Sequence, residues 1–360
     1  MPTANPSEAR SIRRLALLQH GGLLQQDVGK TGISLLRYSP AEVVAVVDAE
    51  TAGKSLREVT GLPLSRDIPI VATCAEILPH RPDALAIGIA PTGGVIPEPW
   101  LVEIRHLVRS GVSIWNGLHT WLADDPEIAR ALRPGVEVWD MRREPIPPRI
   151  GTGAARELSC QRVLFVGTDM AIGKMTAALE LHRLALHRGL KSKFIATGQG
   201  GMMISGDGIC LDAVRIDYAT GAVEGEVLRF GPAHDVLWIE GQGSLLNPSS
   251  MATLPLIRGS QPTHLILVHR ANLRTLRLFE DITIPPLDQV VAFYEQVAAA
   301  AGTFAPAKVV GVALNTWGLD NAAAGAAVAE TARRTGLPCA DLVRDGAELL
   351  FDALPPVGRR

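Results

Sequence analysis

Concentrated charge is missing from this sequence. The formal net charge is −2 and no basic cluster stands out, which argues against a nucleic-acid surface, because binding a phosphate backbone needs clustered Lys and Arg. Cysteine is scarce and scattered. Cys74, Cys160, Cys210 and Cys339 show no CxxC or Cys/His spacing, so no metal is expected, and they read as reduced, buried small hydrophobes. No apolar run approaches the ~20 residues that span a bilayer. The opening stretch, MPTANPSEARSIRR, also lacks the apolar core of a signal peptide, so a soluble cytoplasmic protein without a membrane partner is expected. There is no internal repeat, no low-complexity tract and no GxSxG elbow that would mark a Ser-His-Asp triad. Aromatic residues make up only 4% of the chain, whereas Ala, Gly and Val are plentiful. That balance suits an α/β architecture with helices packed tightly on a sheet.

What is present centres on Arg162 to Leu186, RVLFVGTDMAIGKMTAALELHRLAL. Val163 to Val166 reads as a buried strand, and an Ala- and Leu-rich segment with helical spacing runs to near Gly189. Between them lie Gly167, Thr168, Asp169, Met170, Ala171, Ile172, Gly173, Lys174, Met175 and Thr176. Strand, glycine loop and helix in that order make a phosphate-binding turn. A di- or triphosphate needs several backbone N–H groups aimed inward; glycine permits close approach, the helix N-terminus adds positive partial charge, and Lys174 supplies a cation. The loop departs from the common Walker A pattern. Five residues separate Gly167 from Gly173 instead of four, and Met175 stands where Ser or Thr ordinarily ligates Mg²⁺. Phosphate binding is therefore better supported than Mg-dependent nucleotide hydrolysis.

Upstream, short apolar runs alternate with helical segments, which implies parallel βαβ units. Strands are expected at Arg14 to Gln19, Val43 to Val47, Pro69 to Ala72, Ala84 to Ile89 and Val112 to Trp115. Asp48 closes the second strand, where nucleotide-binding sheets hold a ribose hydroxyl, but the first turn lacks GxGxxG. Gly29-Lys30-Thr31 looks like the tail of another P-loop, but no clear glycine loop precedes it at the right distance, and a plain helix start is the favoured reading. Thr92-Gly93-Gly94 follows the fourth strand and is either a ligand edge or a simple turn. The Pro- and Gly-rich stretch between Asp140 and Ser159 is the linker. We therefore expect a Rossmann-like parallel-sheet domain over residues 1–145 and a P-loop NTPase-like parallel-sheet domain over 146–360.

In the second domain, Lys193 to Ala196 is a strand delivering Thr197-Gly198-Gln199-Gly200-Gly201, a glycine cluster that can wrap a ligand or merely turn the chain, its position opposite the phosphate loop favouring the ligand. Asp207, Asp212, Asp217 and Glu224 punctuate what reads as a loop-rich region. Val236 to Glu240 is a hydrophobic strand ending in a carboxylate, followed by Gly241-Gln242-Gly243-Ser244. This has the shape of a Walker B element, a buried strand that sets one acid beside the phosphate loop. His264 to Val268 is the next strand. His264 and His269 point to opposite faces and are no metal pair; Arg270 is a candidate clamp for a carboxylate. Val309 to Leu314 is the last long strand, ending at Asn315-Thr316. A helix over Asn321 to Arg334 follows, with an edge strand in Leu337 to Leu342.

Gly167-Thr168-Asp169, Gly173-Lys174 and Glu240-Gly241 resemble the dethiobiotin synthetase branch of P-loop proteins, whose loop also has five intervening residues. A closer resemblance covers most of the chain. GTD…GKMT, GQGG, EGQGS, APTGG and GLH are together similar to a two-domain family long labelled only as a domain of unknown function, whose assigned members are DgcN-type D-glutamate N-acetyltransferases. That resemblance implies transfer of acetyl from acetyl-CoA to a D-amino acid. Coenzyme A carries a pyrophosphate and a 3′-phosphate, so the loop can hold it without γ-phosphate chemistry. The reaction needs a base and oxyanion donors. Glu240 or Asp169 is the candidate base, and the N–H groups of Gly200-Gly201 or of Gly241 to Ser244 are the candidate donors. Arg270 and Lys174 are candidate cations for the substrate carboxylates, with Gln199 and Gln242 beside them. An ATP- and Mg-using ligase or kinase is the alternative that Met175 disfavours. A nucleotide-binding regulator without catalysis is the third reading, which Glu240 disfavours. A symmetric homo-oligomer is the default assembly.

Overall fold

The computed structural model describes residues 12–24 and 26–356. The opening stretch up to residue 11 lies outside the described residues. The chain divides into two compact units. One comprises Met1–Arg143 with Gln199–Cys210, the other Glu144–Gly198 with Leu211–Arg360.

The first unit is built on β1 (Arg14–Leu18), β2 (Glu42–Val47), β3 (Ile70–Val71), β4 (Ala84–Ile87), β5 (Ser113–Asn116) and β6 (Val138–Asp140). All pairs are parallel, in the order β3-β2-β1-β4-β5-β6, the doubly wound arrangement of dinucleotide-type sheets. Its helices are α1 (Gln26–Tyr38), α2 (Leu56–Thr60), α3 (Glu98–Arg109) and α4 (Pro126–Ala131). The near-continuous apolar runs of β1, β2 and β4 are what a sheet covered on both faces requires; Leu17, Ala45 and Leu85 are fully buried. Asp125 caps α4 by accepting from the amides of Glu127 and Ile128, and Pro126 opens the helix, the arrangement both residues favour. Gly29-Lys30-Thr31 lies inside α1. A Cβ on Gly29 would stand 2.0 Å from the Gly22 carbonyl oxygen, so this glycine serves close packing. β6 was not anticipated.

The second unit holds β7 (Gln161–Gly167), β8 (Ser192–Ile195), β9 (Val236–Ile239), β10 (His264–Arg270), the short pair β11 (Thr275–Leu276) and β12 (Phe279–Thr283), then β13 (Lys308–Asn315) and β14 (Cys339–Ala340). Six of these form a parallel sheet ordered β14-β13-β10-β7-β9-β8, with β7 at its centre. β11 and β12 pair antiparallel. The helices are α5 (Lys174–His187), then α6 (Gln199–Ser205), α7 (Ile216–Phe230), α8 (Thr253–Ser260), α9 (Leu287–Ala299), α10 (Asn321–Thr335) and α11 (Glu348–Asp352). Of these, α6 belongs to the first unit, where it packs against α1. No described helix is long and apolar enough to cross a membrane. All four cysteines are buried and none forms a disulfide.

Two expectations need correction. The region read as loop-rich contains α7, which carries Asp217 and Glu224; Gly221 and Gly225 weaken its helical signature. Gly221 is there for space, since a Cβ would stand 2.0 Å from the Arg149 carbonyl oxygen of the crossing linker. The linker is anchored within the second unit, where Thr152 donates its N–H and hydroxyl to the buried Glu224 carboxylate at 2.8 and 3.0 Å. The glycine cluster Gly200-Gly201 does not wrap as a loop but lies in the first turn of α6.

Candidate functional site: a phosphate loop with a buried acid

β7 delivers its last residue, Gly167, into the middle of the sheet's C-terminal edge, and α5 starts at Lys174. The connecting loop adopts left-handed backbone at Ala171 (φ 53°) and Gly173 (φ 113°). The second of these conformations is natural only to glycine. Three anchors fix the loop from outside. Tyr294 and Ser244 hydroxyls both donate to the Gly167 carbonyl, at 2.7 and 2.8 Å. Asn315 Nδ2 donates to the Ile172 carbonyl at 3.0 Å. Thr168, fully buried, donates its amide to the Val268 carbonyl and shares a 2.8 Å hydrogen bond with His269 Nδ1.

The decisive feature is what remains. The backbone N–H groups of Ala171, Ile172, Gly173, Met175 and Thr176 have no acceptor within the protein among the described residues. Helix starts leave such donors open, and a run of them is an anion cradle. The Lys174 ammonium donates to the Asp169 carbonyl oxygen at 2.7 Å. Its chain passes between glycines. A Cβ on Gly241 would stand 2.8 Å from Lys174 Cδ and 1.7 Å from the Phe165 carbonyl oxygen, and one on Gly167 would stand 3.2 Å from the same Cδ.

Asp169 is a hub and not a free carboxylate. It is fully buried, and its two oxygens accept from the Met170 amide (2.7 Å), Asn247 Nδ2 (2.8 Å) and the Arg277 amide (2.6 Å). The last bond ties the turn between β11 and β12 to the phosphate loop. With both oxygens committed to these donors, Asp169 holds the loop together, and the other base candidate is Glu240. Glu240 follows β9, the neighbour of β7, and is buried. Its Oε2 accepts from the amides of Thr197 and Gly198 at 2.8 and 3.2 Å, while Oε1 has no protein hydrogen bond among the described residues. Burial pushes its carboxyl up to about 7, opposed by those two amides and by the charge of Lys174. A group balanced near neutrality suits proton transfer in both directions.

The segment after Glu240 divides. The N–H groups of Gly241, Gln242 and Gly243 have no protein acceptor among the described residues. Ser244, in contrast, is fully buried, its amide donating to Ser250 Oγ at 3.3 Å and its hydroxyl to the Gly167 carbonyl at 2.8 Å. Gly243 needs its positive φ of 67°, and a Cβ there would collide with Ser250 Oγ at 1.5 Å. Arg270 ends β10 beside Asn315 and forms no ion pair among the described residues. Gln199, Gly200 and Gly201 sit in the first unit.

In that unit, the APTGG and GLH stretches meet. The His119 amide donates to the Gly94 carbonyl at 2.8 Å, and a Cβ on Gly94 would stand 2.4 Å from His119 Cδ2. Asp48 is buried and committed to the Gly21 amide and the Thr51 hydroxyl, at 2.8 and 2.6 Å, so it caps a turn and has no spare role toward a ribose. Sequence reasoning missed Tyr294, Asn247 and the β11–β12 hairpin. Each reaches the loop from a distant part of the chain, and none carries a local motif.

Comparison with known proteins agrees with this architecture. Residues 49–144 match a model described as "Domain of unknown function (DUF1611_N) Rossmann-like domain". Residues 149–351 match one described as "Domain of unknown function (DUF1611_C) P-loop domain". A D-glutamate N-acetyltransferase from Tritonibacter scottomollicae is 38% identical over 275 residues, 76% of this chain and 81% of its relative. One from a Pseudoalteromonas species is 32% identical over 267 residues, 73% and 78% of the two chains. The crystal structure of a DUF1611 family protein from Anabaena variabilis superposes with a TM-score of 0.90 at 53% identity, covering 95% of this chain and 98% of that one. With both units matched and the whole fold shared, the chain belongs to the DUF1611 family.

Proposed function

We propose that this protein is an acetyl-CoA-dependent N-acetyltransferase whose acceptor is a D-amino acid, D-glutamate foremost. The observation that carries the reading is the pairing of an open amide cradle at Ala171 to Thr176 with the near-neutral acid Glu240. The two curated relatives, each named D-glutamate N-acetyltransferase, support acyl transfer to an amine and this acceptor.

Acetyl-CoA, when bound, supplies an acetyl thioester on a carrier with a pyrophosphate. The residues fit such a group. Several converging N–H donors and the Lys174 cation suit a pyrophosphate, and the space kept by Gly167 and Gly241 lets the lysine chain lie against the strands. Met175 at the second position of α5 offers no hydroxyl for Mg²⁺, which this chemistry does not require. Glu240 accepts the proton leaving the acceptor's ammonium group through Oε1, with Oε2 held by the Thr197 and Gly198 amides. The N–H groups of Gly241 to Gly243 are the oxygen-stabilising donors, and Arg270 is the cation for a substrate carboxylate. A cytoplasmic homo-oligomer is part of the same reading.

The test is incubation of the purified protein with acetyl-CoA and a panel of D- and L-amino acids, following thiol release, beside an ATP hydrolysis assay with Mg²⁺. We expect thiol release with D-glutamate and no ATP turnover. ATP hydrolysis with no thiol release for any amino acid would transfer the protein to the ligase or kinase class. Lys174→Ala should weaken acetyl-CoA binding by roughly tenfold or more, as loss of a charge-assisted contact predicts. Unchanged affinity in a titration would remove the loop from donor binding.

A further inference from the structure

A cavity of about 590 Å³ opens in the second unit where the chain after β10 meets the Thr283–Leu287 segment, Leu314 and one face of α10. Its volume falls in the range of small-molecule sites, roughly 300–1,000 Å³. Leu273, Ile284, Pro286, Leu287, Leu314 and Ala327 line it, which makes most of the wall apolar.

Two polar features are placed on that wall. One is His269, buried and lining the cavity. Thr168 Oγ1 is enclosed and its only hydrogen-bond partner among the described residues is His269 Nδ1, at 2.8 Å. If Nδ1 carried the proton, the threonine hydroxyl hydrogen would be buried with no acceptor, which costs the desolvation of that group. The hydroxyl therefore donates to Nδ1, and the ring proton sits on Nε2, which has no protein partner among the described residues. Burial also holds His269 down to about 4, so the ring is neutral at physiological pH. The other feature is a pair of exposed arginines, Arg274 and Arg334, at the cavity's border. Neither forms an ion pair among the described residues. Glu330, which also borders the cavity, has both carboxylate oxygens engaged by Arg333.

We propose that this cavity is a binding site for a small apolar carboxylate, with its body against the Leu, Ile, Pro and Ala wall and its charge at Arg274 and Arg334. His269 is the polar point of the interior and, through Thr168, connects the site to the phosphate loop. The site is separate from the acetyl-transfer reading, and its test uses neither acetyl-CoA nor an amino acid.

The probes are 1-naphthylacetate and its neutral isostere 1-naphthylacetamide, titrated calorimetrically into the full chain, with ¹⁵N-histidine spectra recorded in parallel. We expect saturable binding of the acid, a shifted His269 signal, and roughly tenfold weaker binding of the amide. Reversing the two exposed charges, Arg274→Glu with Arg334→Glu, should weaken the acid by at least that factor and leave the amide unchanged. Ala327→Trp should fill the cavity and remove binding of both. Absence of saturable binding at millimolar probe, equal affinity for acid and amide, or indifference to the charge reversal would each overturn the proposal. If Ala327→Trp fails to fold, the charge-reversed chain, altered only at the surface, decides alone.

Discussion

Glu240 is held between opposing effects. Burial raises its carboxyl to about 7, while two backbone amides and the Lys174 charge favour the ionised form without overcoming burial. Three consequences follow at this one residue. Removing the proton acceptor by Glu240→Gln should lower turnover by about 10²–10⁴ and leave acetyl-CoA affinity unchanged; wild-type turnover in that variant would place the base elsewhere. In the wild type, turnover should rise with pH through about 7 as the carboxylate forms. The same shift acts on stability with the opposite trend. A carboxyl whose folded value lies above its ordinary 4.5 binds its proton more tightly when folded. Its contribution is complete below about 4.5 and is lost as pH rises through about 7. Glu240→Gln carries no such penalty. Its melting temperature should therefore exceed that of the wild type by a few degrees at pH 8, with the gap closing toward pH 4.5. A gap of the same size at both pH values would show that the acid is not protonated preferentially in the fold.

At the scale of elements, the phosphate loop is held by pieces the chain supplies from far away. Asp169 joins the loop to Asn247 and to the turn of the β11–β12 hairpin through Arg277. Asp169→Ala leaves three donors without their acceptor, and each buried donor so orphaned costs about 1–3 kcal/mol. We expect lower stability and faster hydrogen exchange across residues 275–283, with the midpoint of the activity's pH profile unmoved. A displaced midpoint would instead give Asp169 a direct share in proton transfer. The contrast between Asp169 and Glu240 also marks how far the sequence could be read. Gly167 to Thr176 was legible because a phosphate loop is local: its strand, glycines, lysine and helix are consecutive. Glu240 was legible as the end of an apolar strand. The saturation of Asp169 was not, because its partners lie 78 and 108 residues away and an Asn or a backbone amide announces nothing by itself. Helix α7 was hidden for a different reason. Gly221 answers to the linker carbonyl it must accommodate, so a packing demand between distant segments overwrote the local helical signal.

At the scale of the whole molecule, the order of units along the chain is simple but their make-up is not. The Pro- and Gly-rich stretch between Asp140 and Ser159 reads as the linker, and the two units divide between Arg143 and Glu144. Nothing in the sequence showed that Gln199–Cys210 returns to the first unit. Strand periodicity identifies a sheet and not the unit to which a later helix belongs. The segment is strongly apolar: Met202, Met203, Ile204 and Ile209 are all at most 6% exposed, and α6 finds its partner in α1. A fragment starting at Glu144 therefore carries this segment without the surface that buries it. Exposing four such side chains forfeits about 1.5–3 kcal/mol apiece, a loss comparable with the whole stability of an ordinary domain. Produced alone, residues 144–360 should aggregate or bind a hydrophobic dye, whereas co-production with residues 1–143 should recover a folded complex across the nick. A monomeric 144–360 fragment that melts like the intact protein would mean that α6 contributes little where it packs, and that the second unit is self-sufficient despite carrying a strand-to-helix excursion built into its neighbour.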